Sequence, residues 1–226
     1  MAMILHRLKP QETLGDRVYR LLLEAIINKE MPPGQHLVID ELASKIGTSG
    51  TPIREALNRL QQEGLVVKNP NQGWKIREFT ITETIEIYQV RAALECMAVK
   101  LCCQKPLAAD VHQRLIAIQK EGDQAIKEND LARYRLHNDE FHDVILEVAG
   151  NQTLRDVMNT LRHRVRLFSE TTIRVAGRPK RAVREHGQLI EFMVAGDEVQ
   201  AEALMEQHIL SALEDLLERQ QAMESP

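Results

Sequence analysis

Three histidines stand out by position. His142, His186 and His208 fall on three separate stretches of helical periodicity, and Asn138 precedes the first by four residues, on the same helix face. Three imidazoles offered from three helices form a ligand set for a borderline divalent cation such as Zn²⁺ or Ni²⁺. An amide or carboxylate oxygen could fill a fourth place, leaving room for water or an organic ligand. Asp139 is turned about 100° from Asn138 around a helix and is the poorer candidate. Two other uses of such a set stay open: activation of a metal-bound water, with Glu185 and Asp139 nearby in sequence, or a metal that only braces a helical scaffold. Sequence separation does not establish that three helices converge, and any of the eight histidines could equally be packed or surface-exposed. His6, His36 and His112 show no partner pattern, and His137 and His163 lie on the same helical stretches but off the set. Three arginines could hold a carboxylate beside the metal. Arg162 and Arg166 share one helix face, with solvated surface charge as the alternative. Arg91 lies four residues before Glu95, with an ion pair as the alternative.

A second group of residues lies near the N-terminus. Ser49, Thr51 and Arg54 fall at the start of an amphipathic stretch that follows a short helix and Gly47. This is the pattern of a helix-turn-helix, whose second helix enters the major groove with its N-terminal residues toward base edges. Arg54 could reach a guanine edge or a phosphate. Ser49 and Thr51 could donate to phosphate beside backbone amides that favour anions. Beyond them, Lys68 and Lys75 flank the turn-rich Asn69–Gly73 segment, which could lie along the backbone or in the minor groove.

The elements that must position these residues read as mostly α. Thr13 to Asn28 has apolar residues at helical spacing and stops at Met31-Pro32-Pro33-Gly34. A short helix over 40–46 and a second ending at Gly64 follow. Two short strands, 65–67 and 74–76, complete a three-helix module with a hairpin. Helices are expected near 82–103, 107–128, 130–149, 151–174, 179–195 and 197–220, with Thr82 among the caps of the first. Six amphipathic helices hide their apolar stripes by packing into an antiparallel bundle. The expected domains are therefore 1–78, a winged helix-turn-helix, and 79–226, a helical bundle.

Composition agrees with this division. The chain has 226 residues, 43% of them hydrophobic and only 4% aromatic, enough for a core and poor in the residues that favour strands. Residues 1–78 carry 11 basic and 9 acidic groups, whereas 79–226 carry 18 and 24. No apolar run is long enough to span a membrane, and the N-terminus lacks a signal peptide's apolar stretch. The three cysteines, Cys96, Cys102 and Cys103, are odd in number and clustered, so a reducing, cytoplasmic setting is expected.

The stretch from Asp40 to Val66 resembles the DNA-binding core of GntR-family bacterial transcription regulators. The resemblance is carried by Ser49, Thr51-Pro52, Arg54-Glu55-Ala56-Leu57, Leu60 and Glu63-Gly64-Leu65-Val66. It implies that Thr51 and Arg54 touch DNA and that Gly73 sits at the wing tip. Gly50 and Gln72 stand where the family often has arginine, as Asp40 does in some members. Fewer cationic contacts would weaken DNA binding and flatten its salt dependence, unless Lys45, Arg59, Lys68 and Lys75 recover it. Residues 80–220 resemble the six-helix, metal-containing effector (FCD) domain of the FadR-like branch, through Arg91-Ala-Ala-Leu-Glu95, Phe141-His142, Gly150-Asn151, Glu185-His186 and His208. The resemblance implies Asn138, His142, His186 and His208 as metal ligands, with asparagine in place of the commoner aspartate. It also implies a homodimer that binds double-stranded operator DNA, most simply as a repressor, and a small organic acid as effector.

Overall fold

The computed structural model describes residues 12–70 and 73–224. Its contacts divide the chain into two compact units, 1–78 and 79–226. The fold is mostly helical, a winged helix-turn-helix followed by a helical bundle.

In the first unit, α1 (Leu14–Ile27) opens on a capping box: Thr13 Oγ1 accepts from the Asp16 N–H, and the Asp16 carboxylate accepts from the Thr13 N–H. Val18, Leu22 and Ile26 lie on its buried face, and the helix packs on α3 (Gly50–Gln62). Between them, α2 (Ile39–Ile46) ends at Gly47, whose φ of 75° lies in the left-handed region open to glycine. The Gly47 and Thr48 N–H groups both donate to Ala43 C=O, which makes the turn into α3 tight. Pro52, Ile53, Ala56, Leu57 and Leu60 of α3 are buried, so its other edge is left to solvent.

Strands β2 (Val66–Asn69) and β3 (Gly73–Ile76) pair antiparallel from Val66↔Ile76 to Asn69↔Gly73. A third strand, β1 (His36–Leu37), joins the free edge of β3 and makes the order β1-β3-β2. The hairpin expected from sequence is therefore a three-stranded sheet, because a two-residue strand is too short to show alternation. Asn71 and Gln72 of the expected turn lie outside the described residues.

The second unit is six helices: α4 (Ile81–Cys103), α5 (Ala109–Lys127), α6 (Leu131–Val148), α7 (Gln152–Thr172), α8 (Arg178–Ala195) and α9 (Glu198–Glu224). The cap of α4 is Thr80, not Thr82. Thr80 Oγ1 accepts from the Glu83 N–H while Glu83 reaches back to the Thr80 N–H, and only Thr80 has a glutamate three residues on. Helix α4 is apolar on more than one side because it is central, packing on α9 most extensively and also on α6, α7 and α8. Tyr88, Val99, Phe141, Ile145, Leu189, Met205 and Ile209 anchor the core. The three thiols are free and buried; burial pushes Cys96 and Cys102 up to about 12, so they are inert packing groups. No helix among the described residues is long and apolar enough to cross a membrane.

Candidate functional site

The bundle brings the three histidines together. Helix α6 supplies His142, α8 His186 and α9 His208, and one ligand nitrogen of each lies within 4.8 Å of the others. All three rings are buried, with centroid separations of 4.9–5.3 Å. His186 stacks on Phe141 at 3.9 Å with an 11° interplanar angle, which fixes its ring plane. The Nε2 atoms of His142 and His186 are buried without a hydrogen-bond partner among the described residues. Buried polar atoms are nearly always satisfied, so two orphan imidazole nitrogens in one cluster fit a cation as their partner. Burial lowers the pKa of His186 and His208 well below the ordinary value, and the neighbouring histidines and Arg178 lower it further. Both imidazoles are thereby held neutral, the form that binds metal.

Carboxylates and arginines surround the cluster. Glu95 of α4 spreads its two oxygens: Oε1 accepts from Arg91 Nε at 2.7 Å, and Oε2 meets His142 Nδ1. Burial alone would raise the Glu95 carboxyl, but His142 and Arg91 outweigh it and hold it well below the usual carboxylate range. On the opposite flank, Glu185 Oε2 lies 2.6 Å from His208 Nδ1 and 3.6 Å from Arg178 Nη1. Arg178 is itself buried, donating to Ser211 Oγ at 2.7 Å and to the His208 carbonyl at 2.8 Å.

Two cavities open beside the histidines, and both are lined by Arg91 and His142. One, of about 20 Å³, is also lined by Asn138, Tyr134, Ser169, Thr172, Arg178 and His208. The other, of about 50 Å³, contains Asp139, Arg162 and Arg166. The first is the size of an ion or a single water. Asn138 and Asp139 therefore face different cavities, as their angular separation predicts. Asn138 Oδ1 accepts from Tyr134 Oη at 3.3 Å. Arg162 pairs with Asp143 at 2.6 Å, and Arg166 with Asp139 at 3.3 Å. The expected effector arginines are thus gathered on one cavity, each already holding a carboxylate. Sequence reasoning missed Arg178, which falls between the helices expected at 151–174 and 179–195. It also missed that Glu185 serves His208 rather than its neighbour His186.

The residues read as DNA contacts lie on the first unit. Ser49, Thr51 and Arg54 are exposed at the start of α3. Ser49 occupies the N-cap position without a side-chain capping bond, so its hydroxyl is not used within the helix. The Arg54 guanidinium lies beside Gly50, where a Cβ would come 3.4 Å from its Nη1. Gly73 is exposed at the end of the wing with φ of 75°. Lys68 lies 5.4 Å over the Trp74 ring, and Lys75 pairs with Glu78 at 2.8 Å. Arg59 is already engaged: it binds Asp16 at 2.6 Å and lies 3.9 Å over Tyr19.

An exposed helix start after a tight turn, joined to a wing and followed by a helical bundle with a buried polar centre, is the architecture of a two-domain DNA-binding transcription regulator. The chain belongs to the GntR family: residues 14–76 match "Bacterial regulatory proteins, gntR family" and residues 86–211 match the FCD domain. That family is a class of DNA-binding regulators and not of enzymes. The HTH-type transcriptional regulator YdhC of Bacillus subtilis strain 168 is 29% identical over 181 residues, 76% of this chain and 77% of its own. The HTH-type transcriptional repressor GlaR of Escherichia coli K12 is 27% identical over 203 residues, 86% of this chain and 92% of its own. The solved structure of E. coli McbR/YncC shares the fold, with a TM-score of 0.78 at 21% identity over 92% of this chain and 99% of that one.

Proposed function

We propose that this chain is a ligand-responsive repressor of the FadR-like branch, cytoplasmic, binding double-stranded operator DNA as a homodimer. Residues 1–78 bind DNA and 79–226 sense the ligand and dimerise. Ser49, Thr51 and Arg54 meet the duplex from α3, with Lys68, Gly73 and Lys75 approaching from the wing; Arg59 reaches it only by leaving Asp16. His142, His186 and His208 hold Zn²⁺ or Ni²⁺, with Asn138 as the oxygen donor. A small organic acid binds beside the metal, served by Arg91, Arg162 and Arg166. When bound, the metal supplies a Lewis-acidic position for a carboxylate. The observation that carries this reading is the pair of orphan buried imidazole nitrogens in a three-histidine cluster. Repression is supported by the name of the GlaR relative, and DNA binding by the family match over α1 to β3.

With three histidines and a neutral amide, the protein places no carboxylate of its own on the cation. More of the metal's charge then remains to attract an anion than with an aspartate at 138. Elemental analysis of purified protein tests the metal. A thermal-shift screen of small organic acids tests the effector, and an operator-binding assay with and without the hit links the two. Protein that carries no divalent metal after growth in metal-supplemented medium, and gains no stability from Zn²⁺ or Ni²⁺, would end the metal half of the proposal.

A further inference from the structure

Two of the three histidines are tied to the rest of the bundle in the same way. His142 presents Nδ1 to Glu95, whose other oxygen holds Arg91. His208 presents Nδ1 to Glu185, which also faces Arg178. Glu95 and Glu185 are buried, and so are both arginines. The two sets come from different helices: α4 and α6 on one side, α8 and α9 on the other. His186 has a different support, the Phe141 stack.

An ionised carboxylate accepts hydrogen bonds and donates none. A carboxylate at Nδ1 therefore requires the proton on Nδ1 and leaves Nε2 with its lone pair free. Arg178 Nη2 also approaches His208 Nδ1, at 3.5 Å, and as a donor would call for the other tautomer. The 2.6 Å contact with Glu185 is much the shorter of the two, so it decides the proton's place. For His142 the freed atom is the buried, unpartnered Nε2.

We infer that Glu95 and Glu185 are positioning residues: each locks one histidine in the Nδ1–H tautomer, aims its Nε2 lone pair at the cluster, and is itself held by a cavity-lining arginine. The inference rests on the metal reading for its purpose but not for its test. Metal-binding histidines commonly donate their second N–H to a carboxylate, and loss of that partner typically weakens metal binding about 10- to 100-fold. Glu95 carries the further consequence that one carboxylate joins a metal-facing ring to Arg91, which lines both cavities.

Imidazole ¹⁵N spectra of the metal-free full-length protein, at mildly alkaline pH, read the tautomers directly. His142→Ala and His208→Ala assign the signals. Both rings are expected as Nδ1–H with an unprotonated Nε2, and an Nε2–H form dominating in either ring overturns the inference. Zn²⁺ titration against a chromophoric chelator gives the second reading: Glu95→Gln and Glu185→Gln are each expected to bind about 10- to 100-fold more weakly. Wild-type affinity in both variants overturns the inference while leaving the metal site standing. If wild-type protein takes no Zn²⁺ but shows both Nδ1–H rings, the metal reading fails and the positioning role survives. The tautomer measurement on wild type needs neither glutamine variant to fold.

Discussion

At the start of α3, Ser49, Thr51 and Arg54 stand in solvent. In the bundle, Arg91 and Arg178 are among the most buried charges of the described residues, and each is matched to a glutamate. The contrast follows from the partner each region suits. A polyanion supplies its charge from outside, so cations that meet it can wait exposed and screened. A cavity for a small ligand must be built dry, and a buried charge without a counter-ion is strongly destabilising. The bundle therefore brings its own carboxylates, Glu95 and Glu185, and uses them twice, for the arginines and for the histidines.

The largest expected effect tests whether the two regions stand on separate cores. Leu57 is fully buried in the first unit, and Leu57→Ala should cost about 2–5 kcal/mol there. Trp74, the single tryptophan, reports that unit by fluorescence. Its denaturant midpoint should fall while Zn²⁺ binding by the bundle stays at the wild-type level; a parallel loss of Zn²⁺ binding would erase the distinction. Next, His186→Ala should remove stabilisation by Zn²⁺, which in wild type reaches about 2.7 kcal/mol at one hundred times Kd. Unfolding followed by circular dichroism with and without Zn²⁺ measures it, and an unchanged Zn²⁺ effect takes His186 out of the site. Arg54→Ala comes third, losing about 1–3 kcal/mol of operator affinity with the helix content unchanged. Equal operator affinity in wild type and variant, by fluorescence anisotropy, would show that the exposed edge is not the reading edge.

The same contrast explains what the sequence made legible. Around α3 the signals are local: Gly47 before the helix, Pro52 in its first turn, and Ile53, Leu57 and Leu60 on one face. Residues left over from the buried face are exposed, so Ser49, Thr51 and Arg54 could be placed without tertiary information. In the bundle, the helices and the shared face of Asn138 and His142 were legible, as was the different direction of Asp139. What periodicity does not encode is which helix meets which. Glu185 precedes His186 yet binds His208, and Glu95 pairs both with Arg91 one turn away and with His142 on another helix. Spacing along the chain gave the Arg91–Glu95 pair but neither carboxylate–histidine partner. The convergence of the three histidines came only from the resemblance to a family and from the fold. Strand β1 was missed because two residues carry no period.

Both regions share one device, and it gives the smallest test. Helix α1 opens on Thr13 with Asp16, and α4 opens on Thr80 with Glu83. In α1 the box residue has a second task, since Asp16 also holds Arg59. In α4 the threonine of the box satisfies one N–H that the first helical turn cannot satisfy for itself. Thr80→Ala should therefore lower bundle stability by about 1 kcal/mol. The denaturant midpoint measured by circular dichroism should shift at an unchanged slope, because the surface exposed on unfolding is the same. Thr80→Ser keeps the oxygen and should restore most of the loss. The Trp74 transition should not move in either variant. If serine fails where threonine succeeds, the methyl group's packing rather than the cap is what Thr80 contributes, and the two helix starts are alike only in sequence.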